Sequence, residues 1–212
     1  MNSLPTIRSL LLFATALLPG LLCGAADSPP LIQDSVDALG SGSWQRVAGK
    51  WSATGNRFIE TQGGLRATAG DNFWSGANTG DAPAARGIAR YFPGKVIAPG
   101  TWTVSFDVGC FDDLTFPENR FVISLLSDTN KDATYDWSER LPPSEINIVA
   151  DPAPPPGQWK RWTCTFYITE NTKTAKGESV IGTPLGFMIL ATVRGGSGYA
   201  FDNLTITHTA PK

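Results

Sequence analysis

Pro99-Gly-Thr-Trp-Thr-Val-Ser-Phe-Asp-Val-Gly-Cys110 decides the fold of this 212-residue chain. Trp102, Val104, Phe106, Val108 and Cys110 are apolar, while Thr103, Ser105 and Asp107 between them are polar. Successive side chains of an extended chain point to opposite faces, so this alternation predicts a strand with one face in a core. Pro99-Gly100 supplies the turn before it. Gln158-Trp-Lys-Arg-Trp-Thr-Cys-Thr-Phe-Tyr-Ile168 follows the same rule. Trp162, Cys164, Phe166 and Ile168 share one side; Arg161, Thr163, Thr165 and Tyr167 share the other. If the two strands belong to one sheet, Asp107, Arg161 and Tyr167 decorate one polar face. That face is either solvated or a ligand-binding surface.

Outward from these segments, strands are predicted near 44–49, 57–61, 64–68, 85–92, 120–126, 144–150, 186–194 and 199–207. Breaks such as Gly63-Gly64, Pro93-Gly94, Pro142-Pro143 and Gly195-Gly196 separate them, in a chain with 22 Gly and 16 Pro. About ten short strands at this spacing imply an all-β chain folded as a two-sheet antiparallel β-sandwich of the jelly-roll kind. One domain is expected over 43–212, preceded by a lead-in over 27–42. Asp151-Pro-Ala-Pro-Pro-Pro-Gly157 reads as a stiff loop inside that domain.

The first 26 residues read as a secretory signal peptide. Arg8 precedes a 13-residue apolar run from Leu10 to Leu22, and the small residues Gly24, Ala25 and Ala26 follow. That run is too short to span a bilayer as a helix. Cleavage after Ala25 or Ala26 is expected, giving a secreted protein that is extracellular or periplasmic. The alternative is a lipoprotein acylated at Cys23, which Leu22 disfavours because a small residue is wanted there. No second apolar run is long enough to span, so no transmembrane anchor is expected. With 17 basic against 19 acidic residues there is no basic stripe for nucleic acid.

Once Cys23 is removed with the leader, Cys110 and Cys164 form an even pair in an oxidising compartment. Strand alternation turns both toward the core. A disulfide between them would add about 4 kcal/mol by the chain-entropy argument; the alternative is two buried thiols.

Three segments carry a family resemblance. Pro99 to Val108, Gln158 to Phe166, and Gly198-Tyr-Ala-Phe-Asp-Asn-Leu-Thr-Ile206 resemble the second-half strands of the galactose-binding-like β-sandwich superfamily, which includes CenC-type carbohydrate-binding modules. Together they cover roughly 99–207. The resemblance implies a sandwich that binds a polysaccharide or other glycan, and a metal site between the first and last strands. Gln33-Asp34-Ser35 is a distant version of the family's opening motif. Asp202 has the strand parity of Leu204 and Ile206, which turns it toward the core. A carboxylate there needs a calcium ion, an arginine or backbone N–H groups.

A second calcium candidate is Asp128-Thr-Asn-Lys-Asp-Ala-Thr-Tyr-Asp-Trp-Ser-Glu139. Asp128, Asn130, Asp132, Asp136 and Glu139 stand at positions 1, 3, 5, 9 and 12, the spacing of a 12-residue calcium loop. Ala133 occupies the sixth position, where glycine suits the sharp turn. An ordinary polar loop is the alternative.

Seven tryptophans are present. Trp44, Trp51, Trp102 and Trp162 fit core positions. Trp74 beside Asn72, and Trp137 beside Tyr135 and Asp136, fall in loops, as do Phe111 and Phe116. Exposed flat rings suit the C–H faces of sugars, so Trp74 and Trp137 are candidate platforms; otherwise these rings plug the sandwich ends. His208, expected as an exposed strand-end side chain, is the sole histidine, which leaves no basis for Ser-His-Asp chemistry or His-ligated zinc. Asp107, Asp112, Asp113, Glu118 and Glu145 could supply a carboxylate pair, but no dense Glu-x-Asp-x-Glu strand is present. The leading expectation is a secreted, non-catalytic carbohydrate-binding module, with calcium as a candidate structural stabiliser. The alternatives are an extracellular structural or adhesive sandwich, and a small polysaccharide hydrolase or lyase.

Overall fold

The computed structural model describes residues 29–37, 44–47, 56–78, 84–110, 120–142, 144–147, 153–193 and 197–211. Residues 1–26 with Cys23, read above as a leader, lie outside them, as do Trp51, Phe111 and Phe116.

The described residues form thirteen strands: β1 (Ile32–Asp34), β2 (Gln45–Val47), β3 (Asn56–Ile59), β4 (Thr61–Gln62), β5 (Leu65–Arg66), β6 (Phe73–Asn78), β7 (Ala84–Val96), β8 (Gly100–Cys110), β9 (Arg120–Ser127), β10 (Ser144–Asn147), β11 (Gln158–Ile168), β12 (Pro184–Val193) and β13 (Ser197–Thr209). One sheet runs β11-β8-β13-β6-β3, with β1 also paired to β13; the other runs β10-β9-β12-β7-β2. All described pairings within the sheets are antiparallel. The sandwich and the alternation in β8 and β11 are as expected. Trp102, Val104, Phe106, Val108 and Cys110 are buried, as are Trp162, Cys164, Phe166 and Ile168. They meet Phe121, Ile123, Leu125, Phe187 and Ile189 from the facing sheet. Phe121 lies edge-on to Trp162 at 5.2 Å and to Tyr199 at 5.5 Å between ring centroids, an arrangement the ring quadrupoles favour.

Four expectations are corrected. The segment 27–42 is not wholly a lead-in: β1 pairs with β13, Ile32 opposite Ile206. Asp34 then ties the sheets together, ion-paired with Arg90 of β7 and accepting from Trp44 Nε1 at 3.1 Å. Second, Trp74 lies on a strand, since β6 pairs with β13 and Trp74 sits opposite Phe201. Its Ser, Gly, Ala and Asn read as loop, but Gly76 is required by packing: the Tyr199 ring lies 2.6 Å from where a Cβ would stand.

Third, the two cysteines form no disulfide. β8 and β11 are neighbours, but Cys164 stands opposite Val104 and Cys110 opposite Gln158. Six residues of strand, about 20 Å, separate the two positions, far beyond disulfide reach. Strand parity fixed the face of each sulfur and not its place along the sheet.

Fourth, Asp202 does not face the sandwich core. Asp202 pairs with Asp107, and the next pair is Thr205 with Ser105, so Asn203 and Leu204 together oppose Phe106 alone. This is a β-bulge, with Asn203 at φ 50°, a conformation asparagine tolerates. The extra residue sends Leu204 into the core and leaves Asp202 on the outer face, beside Asp107.

Asp202 is nonetheless buried, because the chain from β4 to β6 folds over it. Leu65 joins Phe73, Ala200 and Trp159 in a small apolar cluster on that face. Thr68 N and Ala69 N donate to Asp202 Oδ2 at 2.5 and 3.1 Å, and Asn203 N donates to Oδ1 at 2.7 Å. Backbone N–H groups therefore supply what the carboxylate needs. The Thr68 hydroxyl lies 2.9 Å from Asp202 Oδ2 and 2.8 Å from Asp107 Oδ2. It has one proton for two acceptors. Burial pushes the Asp202 carboxyl up from its ordinary value, against the lowering pull of these donors.

The segment 128–142 covers part of the other sheet's outer face. Tyr135 packs against the cluster of Val47, Ala89, Tyr91, Leu126, Met188 and Leu190. Glu139 is buried and accepts from Tyr91 Oη at 2.6 Å. Lys131 and Ala133 hold φ of 60° and 54°. The sharp turn at the sixth loop position is thus present, built on alanine.

Two predictions follow from this packing. Ala133→Gly removes a left-handed strain of about 1–2 kcal/mol but loosens the unfolded chain, so a net gain of about 0.5–1 kcal/mol is expected in denaturant unfolding; a loss would show that the alanine is unstrained. The folded state holds the Asp202 proton more tightly than the unfolded chain does. Its contribution is full below the unfolded value and is lost as pH rises through the folded one. Wild-type stability minus that of Asp202→Asn is expected to fall as pH rises above the ordinary carboxylate range. A difference that is flat or rising would refute the raised carboxyl.

Candidate functional site

The strand pairing brings Asp107 and Arg161 together and places Tyr167 on the same face. Arg161 stands opposite Asp107 and its guanidinium donates to Asp107 Oδ1 at 3.1 Å. It also donates to Thr205 Oγ1 at 2.7 Å and to the carbonyl of Asn203. Asn203 Nδ2 reaches Asp107 Oδ2 at 2.9 Å. Asp107 is therefore a buried structural acceptor that pins β11 and the bulge to β8. Tyr167 lies six residues beyond Arg161, opposite Thr101, with its ring 76% exposed.

A groove of about 370 Å³ runs beside Tyr167. One wall is Leu141 and Pro142; the other is the end of β11 and the turn after it. Thr165, Thr169 and Thr172 bring hydroxyls, Asn171 an amide and Lys173 an ammonium. The turn closes on itself through Thr169 N donating to Thr172 Oγ1 at 2.9 Å. The location follows from topology: β11 is an edge strand of its sheet, so its last residues have a neighbour on one side only. An exposed aromatic ring beside hydroxyls, an amide and a cation can stack on a sugar and bond to its hydroxyls. Sequence reading had Tyr167 but missed Asn171, Thr172 and Lys173. The Glu170-Asn-Thr172 turn directly after an aromatic-tipped strand was the available signal.

The other expected ring sites fare differently. Trp74 is not a platform: it is 1% exposed and packs edge-on against Tyr199 at 5.3 Å. Asn72 is half-buried, and its backbone N donates to Asp37 Oδ1 at 2.9 Å. Tyr135 is half-buried, its hydroxyl 3.8 Å from Met188 Sδ. Trp137 is 41% exposed on a short 3-10 turn, Trp137–Glu139, capped by Asp136. The Arg140 guanidinium lies 4.0 Å from its ring centroid and covers one face.

The acidic loop does not fit a calcium ion as it is placed. Asp128 accepts from Asp132 N at 3.1 Å and Ala133 N at 3.0 Å. Asn130 Oδ1 accepts from Asp132 N, and Asp132 Oδ1 from Thr134 N at 2.7 Å. Asp136 pairs with Lys176 at 2.8 Å; that ammonium, with the Ser138 hydroxyl and N–H, holds its carboxyl well below the usual range. Glu139 is turned to Tyr91 and Thr129. The oxygens are engaged by backbone N–H groups and by the side chains of Lys176, Ser138, Tyr91 and Thr129. Among the described residues no group of three acidic, His or Cys side chains is placed to hold a metal.

His208 is half-buried, tilted over Trp102 at 4.4 Å between centroids, with Nε2 2.9 Å from the Pro99 carbonyl. It is packed at the strand end rather than fully exposed. Asp112, Asp113 and Glu118 lie outside the described residues, as does the side chain of Glu145. Among the described residues no helix is long and apolar enough to cross a membrane.

No family model matches the sequence, and no curated protein matches it. Solved structures do. The xylan-binding module CBM15 is similar with a TM-score of 0.52 at 15% identity, over 85% of this chain and 99% of that one. The CBM22-1–GH10 modules of the Clostridium thermocellum endo-1,4-β-D-xylanase 10B, complexed with xylohexaose, give 0.50 at 11% identity, over 86% of this chain and 29% of that longer one. TmCBM61 in complex with β-1,4-galactotriose gives 0.47 at 9% identity, over 78% and 88%. At these identities the likeness to the first two is one of fold. The chain shares the β-sandwich fold of these two carbohydrate-binding modules.

Proposed function

We propose that this chain is a secreted, non-catalytic module that binds a glycan in the groove beside Tyr167. The observation that carries the reading is the exposure of that ring. Of the four tyrosines, Tyr91 and Tyr199 are buried and Tyr135 is half-buried, while Tyr167 stands 76% exposed at the groove's edge. Leaving so large an apolar surface in water gives the fold nothing, since burial is what stabilises it. A sugar ring laid on it would recover that contact, with Thr165, Asn171 and Lys173 available to its hydroxyls. The neighbours of this fold include a xylan-binding module and a module structure with bound xylohexaose, which supports a polysaccharide ligand. The leader over 1–26 supports an extracytoplasmic place for it. Calcium is left out of the proposal, because the loop carboxylates are engaged by backbone and side-chain donors.

In gels containing soluble xylan, galactan, glucan or mannan, the chain is expected to be retarded by at least one polymer. Tyr167→Ala is expected to weaken that binding about 10-fold or more, as for a central aromatic contact, with the melting temperature unchanged. Binding by Tyr167→Ala at wild-type strength would move the site away from this groove. Release of reducing ends from the bound polymer would make the protein an enzyme.

A further inference from the structure

The outer face of the first sheet carries an ordered grid of hydroxyls. β11, β8 and β13 lie side by side, and their registers align three rows. Thr163, Ser105 and Thr205 form the first row; Thr165, Thr103 and Thr207 the second; Tyr167, Thr101 and Thr209 the third. Neighbouring members of a row are about 4.8 Å apart and successive rows about 6.7 Å apart, so the grid spans about 10 Å by 13 Å. Every member is exposed or half-buried, and none is charged.

Two features separate this grid from a merely solvated face. The first is order. Threonine is stiff about χ1, and strand pairing fixes each Cβ, so the grid is organised before anything binds. The second is availability. Ser105 and Thr163 bond to one another at 2.8 Å, and Thr205 accepts from Arg161. The hydroxyls of Thr101, Thr103, Thr165, Thr207 and Thr209 make no hydrogen bond among the described residues. Arg161, the charge at the border, is turned inward to Asp107 and Asn203.

One exposed hydroxyl gains little from a sugar, because it exchanges a bond to water for a similar bond. A grid gains when many such contacts form at once on a partner that is itself ordered and loses little freedom. A single soluble chain offers neither the width nor the rigidity. The face of a solid made of packed, uncharged chains offers both. Thr165 and Tyr167 line the groove and also belong to the grid, so a chain seated in the groove lies against it.

We infer that the threonine grid of β11, β8 and β13 is a second binding face, for the surface of an insoluble, uncharged polysaccharide. This rests on the glycan reading of the groove but is separable from it. The full chain is mixed with microcrystalline cellulose, chitin, insoluble xylan and insoluble mannan, and the bound fraction is measured. Thr103→Val/Thr207→Val/Thr209→Val removes three hydroxyls, none of which lines the groove, while keeping side-chain shape and strand preference. It is expected to lose about 10-fold in partition onto the solid, with soluble-polymer retardation and melting temperature as in wild type. Equal partition of this variant and wild type overturns the inference and leaves the groove reading standing. Wild type retained by none of the four solids overturns it too. So does incorporation into slowly growing ice without retention on any solid, which would assign the grid to lattice water. Loss of soluble binding in Tyr167→Ala with solid binding kept supports both readings and shows the two faces to be separable.

Discussion

Every feature of the polar face depends on β8 having full-length partners on both sides. β11 pairs with it from Gly100 to Cys110, and β13 from Thr101 to Cys110 with one bulge. Because side chains alternate, those two registers settle the placement of some thirty residues at once. Even-numbered positions from Trp102 to Cys110 and from Trp162 to Ile168 build the core. Odd positions build the grid, the Asp107–Arg161 pair and the ring of Tyr167. A one-residue slip would put Trp162 and Phe166 in water and Arg161 in the core, so burial enforces the register that the surface then displays.

The bulge at Asn203 is the one local exception, and it has a clear physical effect. Without it, Asp202 and Leu204 would share a face, and either a carboxylate would enter the apolar core or a leucine would leave it. With it, both are satisfied: Leu204 packs inside, and Asp202 receives the N–H groups of Thr68 and Ala69. The same carboxylate thereby holds down the chain between β5 and β6. One half of the outer face is covered by that chain and the small cluster around Leu65. The other half, where the grid lies, stays open. The boundary between covered and open sheet runs through Asp107, Asp202 and Arg161.

What the sequence revealed and what it concealed divide along that physical line. Alternation reports which face a residue takes, and it placed Trp102, Val104, Phe106, Trp162, Cys164 and Phe166 correctly. It says nothing of position along a partner strand, so two inward cysteines looked bondable although Cys164 lies opposite Val104. It also assumes an unbroken count, which Asn203 violates. Composition misled at Phe73–Asn78, where glycine and serine serve packing against Tyr199 rather than a turn. The spacing of oxygens in residues 128–139 was real, but spacing cannot show whether carboxylates face one another or the backbone. The groove was half legible: Tyr167 stood out, while Lys173 and Asn171 reach it only through the turn that follows β11.

Among the described residues, the acids of the polar face are committed to holding the fold together. Catalysis by carboxylates needs two of them facing a common space at matched separation, one free to accept and one to donate a proton. Here the acids nearest the polar face are already bonded: Asp107 to Arg161, Asn203 and Thr68, and Asp202 to backbone N–H groups. The groups around Tyr167 are hydroxyls, an amide and an ammonium. Such groups suit the hydroxyls of a sugar, with which they can exchange hydrogen bonds.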